Sequence, residues 1–228
     1  MLFMYWTGPA DDCPASVIAW RKLYENFTVY TDDDVIPLLP NGFRAVYAQI
    51  RLPAAKSDLA RLLLLREHGG LYLDAHVGPT SPSHLLETLD SLCSHNLILF
   101  GQGWAMQKET DFDLMNGVLA ARRKAPELDI VIDLVINNIL EQRTKESNTR
   151  EYVPYGLFGL TGTYTLVRSF FNQETPRPLL KRQFKNSIFL HYMQDNKRSG
   201  FELAAYYTYR RPGNHWSERE KTERFFID

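Results

Sequence analysis

Apolar residues along the chain gather into short unbroken runs, separated by longer stretches of helical spacing. The run from Met1 to Trp6 is closed by Thr7-Gly8-Pro9 and reads as a buried first strand followed by a turn. Ser16 to Glu25 has helical spacing, with Val17, Ile18, Trp20, Leu23 and Tyr24 able to share a face. Phe27 to Tyr30 predicts a second short strand, ahead of a solvated acidic turn or helix cap at Asp32-Asp33-Asp34. Pro53 to His68 is the clearest helix: Pro53 suits a first helical position, Leu59, Leu62, Leu63 and Leu65 are apolar, and Gly69-Gly70 supplies a left-handed stop. Leu71-Tyr72-Leu73 then reads as a buried strand ending at Asp74. Downstream, the pattern predicts a strand over Asn96–Phe100 and helices over Asp113–Lys124 and Glu127–Arg143, with Pro126 in the first turn of the latter. Thr144 to Arg150 reads as an exposed loop, Thr161–Phe171 as a helix, Ser187–Leu190 as a strand and Ser217 onward as a terminal helix. Strands alternating with helices imply an α/β fold on a mostly parallel central sheet flanked by helices. No repeat or linker divides the pattern, so residues 1–228 read as a single domain.

Composition narrows the class. Hydrophobic residues at 44% and aromatics at 13% support a core and exclude a disordered chain. A net charge of −1 argues against a nucleic-acid-coating protein. That total hides an asymmetry: residues 1–176 carry 15 basic and 21 acidic side chains, residues 177–228 carry 11 and 6. The basic end is either a solvated face or the part that meets an anion, such as a diphosphate or an acidic membrane surface. Cys13 and Cys93 make no disulfide framework and no C-x-x-C zinc site, which suits a reduced, cytoplasmic protein. The apolar opening lacks a basic flank and is too short to cross a bilayer, so no transmembrane segment is expected; peripheral membrane contact stays open.

The chemistry concentrates between Lys56 and Gly78, K-S-D-L-A-R-L-L-L-L-R-E-H-G-G-L-Y-L-D-A-H-V-G. Asp58 and Arg61 stand i and i+3 on one helix, so their heads lie on one side. Asp74 and His76 stand two apart at the end of a strand, where period-2 geometry would point both the same way. A carboxylate and an imidazole at a strand's carboxyl end make half a divalent-metal site, at the edge where open α/β sheets bind ligands. Gly69-Gly70 turns the helix abruptly into the strand and brings the two pairs together. His84 and His95 lack partners at ligand spacing and read as structural.

S-D-L-A-R, an aliphatic run and G-G-L-Y-L-D-x-H resemble the signature of the DXD-containing, glycosyltransferase-family-32-like sugar transferases. That group includes yeast-type mannosyltransferases, bacterial polysaccharide and capsule transferases and, more distantly, clostridial glucosylating toxins. The resemblance implies a GT-A-like nucleotide-sugar-binding fold, a UDP- or GDP-sugar donor, a divalent cation (Mn²⁺ or Mg²⁺) and transfer of a hexosyl-type sugar with retention. The acceptor it implies is a glycan, a lipid-linked molecule or a protein. Met4-Tyr5-Trp6-Thr7-Gly8 is similar to an opening strand whose Trp stacks on the nucleobase, which places Trp6 and Thr7 at the nucleotide. Asp58 and Arg61 match positions that hold donor-sugar hydroxyls, and Asp74 matches the first acid of the D-x-D. Asn116 to Ala121 resembles a helix whose leading Asn faces the reacting sugar, and Leu160-Thr161-Gly162 a later T-G turn. Ile188 to Tyr192 resembles a late strand whose His, here His191, lies near metal and diphosphate.

Departures from the pattern open alternatives. His76 replaces the second acid; it either serves as a softer ligand, favouring Mn²⁺ over Mg²⁺, or marks a lost metal site. The metal set implied is Asp74, His76 and His191, with Asn214 competing for the last place. Asn214 and Trp216 suit a lid built from residues of about 190–228, with His215 pointing away and Lys197, Arg198, Arg210 or Arg211 adding cations. Rival readings are a nucleotide-sugar-binding or effector module of the same fold without turnover, and a metal-dependent hydrolase using Asp74, His76 and His191.

Overall fold

Runs that are apolar at every position need a sheet covered on both faces, and the chain builds one. The computed structural model describes residues 1–8, 13–102, 113–171, 187–193, 199–203, 213 and 215–227. In order, the elements are β1 (Leu2–Tyr5), α1 (Ala15–Leu23), β2 (Thr28–Tyr30), α2 (Asp32–Val35), α3 (Arg44–Ala48), α4 (Pro53–His68), β3 (Gly70–Leu73), β4 (Gly78–Pro79) and α5 (Pro82–Asp90). They continue as β5 (Leu97–Gln102), β6 (Asp113–Ala121), α6 (Pro126–Ser147), α7 (Leu157–Leu160), α8 (Thr163–Phe171), β7 (Ile188–Tyr192), β8 (Phe201–Glu202) and α9 (Trp216–Arg219).

The main sheet has the order β2-β1-β3-β6-β5-β7, and β4 pairs with β8 in a small second sheet. β1 runs parallel to β2 and β3, and β5 parallel to β7; β6 alone is antiparallel to both of its neighbours. The mostly parallel α/β sheet expected of a GT-A-like fold is therefore present. Alternate residues feed two cores. Phe3, Tyr72, Leu97 and Leu99 pack on one side with α4, α6 and α8, while Met4, Leu71, Leu73, Ile98 and Phe100 pack on the other with Val17 and Trp20 of α1.

The stretch from Asp113 is a central strand, not the helix that its spacing suggested. A short apolar run cannot be told from a buried helix by periodicity. Here Val118 and Ala120 face one core, Leu119 and Ala121 the other, and both edges carry ladder hydrogen bonds. Tertiary pairing overrides the weak strand preference of the alanines. The spacing of α1 also overstates its buried face: Val17 and Trp20 are buried, but Ile18 and Leu23 are exposed.

Helix α6 runs past Arg143 to Ser147, through residues expected to form a loop, because Glu146 is buried and used. Its carboxylate accepts the backbone N–H groups of Phe225 (2.9 Å) and Phe226 (3.2 Å) and the side-chain amide of Gln142 (3.0 Å). The final residues form an extended strap, so the terminal helix is only the short α9. Phe226 bridges to Ile50, Arg51 N–H donates to the Phe225 carbonyl (2.9 Å), and Ile227 N–H donates to that of Gln49 (2.8 Å). No helix among the described residues is long and apolar enough to cross a membrane.

Candidate functional site

Three elements meet at one end of the sheet. α4 begins at Pro53 and is buried around most of its circumference from Asp58 to Leu65. Its exit is abrupt: Gly69 and Gly70 adopt φ of 66° and 105°, and a Cβ on Gly70 would lie 2.2 Å from the Met1 carbonyl oxygen. β3 therefore starts directly beside β1 and delivers Tyr72 and Asp74. Antiparallel β6 then sets Asn116 and Gly117 against them, with Asp74 N–H donating to the Gly117 carbonyl at 2.8 Å.

Asp58, Arg61, Asp74 and Asn116 come together as anticipated, although Asn116 arrives on a strand. Arg61 is the hub. Its guanidinium pairs with Asp58 Oδ1 (3.0 Å) and Asp74 Oδ1 (3.3 Å), and donates to the Ser57 carbonyl (3.1 Å), the Ser57 hydroxyl (3.1 Å) and the Asn116 carbonyl. Its Cζ sits 4.9 Å from the centroid of the Tyr72 ring. The two flanking carboxylates hold Arg61 protonated against the burial that opposes its charge. Asp58 is tied by the Asn116 amide (2.7 Å) and the Thr161 hydroxyl (2.7 Å), the latter supplied by the α7–α8 junction. Asp74 accepts from the Tyr72 hydroxyl (2.7 Å), and its Oδ2 faces Gly117, where an added Cβ would come within 2.7 Å. With a side-chain exposure of 23% against 8% for Asp58, Asp74 is the more accessible of the two carboxylates.

One guanidinium between two carboxylates leaves a net charge of −1 in a largely dry site. Burial pushes Asp58 up to about 6; Arg61 and hydrogen bonds from Thr161 and Asn116 oppose the rise, and Asp74 adds to it. The folded protein thus holds this proton more tightly than the unfolded chain. The stabilisation is complete below about pH 4 and is lost as pH rises through about 6. Two units correspond to about 3 kcal/mol. The unfolding free energy of Asp58→Asn should therefore improve relative to wild type by up to ~3 kcal/mol between pH 4 and pH 7. Urea titrations at both pH values check this, and a constant difference would refute it.

The remaining expected site residues stand on other segments of the chain. Trp6 follows β1, its N–H bonded to the Tyr30 carbonyl (2.9 Å), and its half-buried indole lies against Gly8, where a Cβ would meet the ring at 2.6 Å. Thr7 beside it is exposed. Asp74 and His76 do not share a strand: β3 ends at Leu73, and Asp74–Val77 is a turn closed by Val77 N–H donating to the Asp74 carbonyl at 2.9 Å. His191 is on edge strand β7, hydrogen-bonded to the Ser199 hydroxyl (3.0 Å) beside the Phe100 ring, and burial lowers its pKa. Among the described residues, no three His, Cys, Asp or Glu side chains gather as a metal site. The single turn that carries Asp74 and His76 is thus not by itself a cation cage. Asn214 and the cations Lys197, Arg198, Arg210 and Arg211 lie outside the described residues. Trp216 opens α9 and packs edge-on against Phe158, at 5.0 Å.

The pattern did not reveal Ser57, Tyr72 and Gly117, or a second polar cluster next to Trp6. There the Asp32 carboxylate accepts from the hydroxyls of Tyr5 and Tyr47 and from Lys56 Nζ at 2.9 Å. Burial alone would raise its pKa, but the bonds from Tyr5, Lys56 and Tyr47 win and lower it. The only available signal was an acid directly after a strand and a tyrosine directly before Trp6.

Residues 40–98, which hold Asp58, Arg61, Asp74 and His76, match the family described as glycosyltransferase sugar-binding region containing DXD motif. Over these residues the chain is similar to that sugar-binding region. An uncharacterized glycosyltransferase of Acanthamoeba polyphaga mimivirus is 24% identical over 176 residues, 69% of this chain and 62% of that protein, so the chain spans less than two thirds of this relative's length. Among solved structures, the PaToxG glycosyltransferase is similar at 15% identity, covering 75% of this chain and 68% of that one, with a TM-score of 0.45. The ligand-free glycosyltransferase domain of the YGT toxin is similar at 12% identity over 77% and 55%, with a TM-score of 0.43. The matched residues supply both carboxylates and the arginine of the hub, and Asn116, Gly117 and Thr161 close over it from outside the match.

Proposed function

We propose that this chain transfers a hexosyl-type sugar from a nucleoside-diphosphate donor to an acceptor, with retention at the anomeric carbon. The observation that carries the reading is the arginine-locked carboxylate pair. Asp58 and Asp74 are fixed by Arg61, Asn116, Thr161 and Tyr72 at the carboxyl end of β3, with Asp74 left accessible. Carboxylates in fixed positions accept hydrogen bonds from sugar hydroxyls, and their orientation is set before the ligand arrives. Arg61 is better suited to hold both acids than to meet the sugar, because its donors are already engaged inside the site. As the glycosidic bond breaks, positive charge develops on the sugar ring and negative charge on the leaving diphosphate; the net negative pair faces the former. Trp6 offers the nucleobase a stacking face one strand away from Asp74.

The test is thermal shift and calorimetry with UDP-glucose, UDP-N-acetylglucosamine and GDP-mannose, with and without Mn²⁺, followed by release of free nucleoside diphosphate. One donor should bind, Trp6→Ala should weaken it about tenfold, and Asp74→Asn should suppress its turnover. Absence of binding by all three donors in both conditions would overturn the reading.

A further inference from the structure

Phe158 stands out on the surface next to this site. Among the Phe, Tyr and Trp side chains whose burial is described it alone is exposed, at 47%; the other large exposed apolar side chains carry no ring. It is held in a fixed frame. Tyr164 stacks on it with ring centroids 5.6 Å apart and an interplanar angle of 20°, and Trp216 meets it edge-on at 5.0 Å and 88°. His215 lies 5.2 Å from the Trp216 ring. The backbone beneath is anchored as well: Leu157 N–H donates to the Glu220 carboxylate (2.8 Å), and the Asn138 amide donates to the Leu160 carbonyl (2.9 Å).

The frame borders the carboxylate pair. A Cβ on Gly162 would touch both the Phe158 Cα (3.1 Å) and Asp58 Oδ2 (3.5 Å), and Thr161, three residues after Phe158, bonds to Asp58. The backbone that carries Phe158 and the carboxylate cluster at Asp58 are therefore neighbours.

We propose that Phe158, backed by Tyr164 and Trp216, is the stacking platform for a sugar ring of a neutral glycan acceptor. The proposal rests on the donor-site reading above and extends it to the acceptor. One face of a pyranose is lined with C–H groups, which favour the electron-rich face of an aromatic ring, while its hydroxyls need polar partners at the rim. The cluster holds both chemistries: ring faces for the C–H surface, and a phenol, an indole N–H and an imidazole on the same side chains. An acyl chain has no use for oriented rings with polar rims and would be met by aliphatic side chains. Rigid aromatics also add contact area with little side-chain entropy to lose.

The experiment titrates mannotetraose, maltotetraose and chitotetraose into the protein, with the donor panel run on the same samples. At least one oligosaccharide should bind. Phe158→Ala should weaken it tenfold or more, and Phe158→Trp should retain it; unchanged melting of the alanine variant, whose ring is exposed, verifies the fold. The platform is overturned if no oligosaccharide binds, if Phe158→Ala binds equally well, or if the sugar is transferred only to a protein acceptor at a rate indifferent to Phe158. Oligosaccharide binding that depends on Phe158 without any donor binding supports the platform and overturns the transferase reading instead.

Discussion

Arg61→Leu is expected to cost about 3–5 kcal/mol of folding stability, the effect of leaving buried charge without its partner. For a chain of this size that is a fall in melting temperature of roughly 10 °C. Arg61 is 4% exposed and is the cation that pairs with both Asp58 and Asp74 in the cluster. Removing it strands two carboxylates and leaves the Ser57 and Asn116 carbonyls without their donor. Arg61→Lys should recover only part of the loss, since an ammonium cannot reproduce the planar fork that reaches all of these acceptors. Adding Asp58→Asn to Arg61→Leu should recover stability, because one of the stranded charges disappears. Urea unfolding followed by circular dichroism measures all three. A loss below about 1 kcal/mol for Arg61→Leu, the range of a surface pair, would show that the hub does not organise the site.

The second large effect belongs to a residue with no side chain. Gly117→Ala should weaken donor binding at least tenfold while the protein stays folded. The new methyl would sit 2.7 Å from Asp74 Oδ2 and 3.2 Å from Asp74 Cγ, too close for the carboxylate to keep its place. β6 tolerates alanine elsewhere, with Ala120 and Ala121 in the same strand, so the backbone need not suffer. The clash falls on Asp74, which must swing away from the Tyr72 hydroxyl and Arg61. Calorimetry with the donor that binds wild type, alongside a melting curve, separates the two consequences. Full donor affinity in a folded Gly117→Ala protein would remove Asp74 from the donor site.

How legible this was depended on which residues announce themselves locally. Helix α4 and strand β3 could be read because Pro53 starts one and Gly69-Gly70 ends it, signals that act within a few residues. Asp58, Arg61 and Asp74 were found for the same reason: their spacing lies inside one helix-turn-strand unit. Asn116 was found as a residue but assigned to a helix. An apolar run of this length carries no period that distinguishes the two states, and what decides is the presence of β3 and β5 on either side. Tyr72 looked like one more core residue between two leucines, and its role exists only once Asp74 and Ser57 are within reach of its hydroxyl. Asp32, Tyr5, Tyr47 and Lys56 come from four separate segments, so no local pattern could join them. The turn at Asp74–Val77 replaced an extended pair because β3 ends at Leu73 and Val77 N–H closes back on the Asp74 carbonyl.

The strap that ties Phe225, Phe226 and Ile227 to Gln49, Ile50 and Arg51 has a consequence for the order in which the protein can form. The segment just ahead of α4 is synthesised more than 170 residues before its backbone partners. Until they emerge, the amide of Arg51 has water in place of the Phe225 carbonyl, and the Glu146 carboxylate lacks the backbone donors of Phe225 and Phe226. Contacts across more than 170 residues of sequence close slowly, because the entropy of a long loop must be overcome before they give any return. The lead-in to α4 is therefore fastened late, and a nascent chain stalled short of Phe225 would carry Asp58 and Arg61 on an unfastened frame.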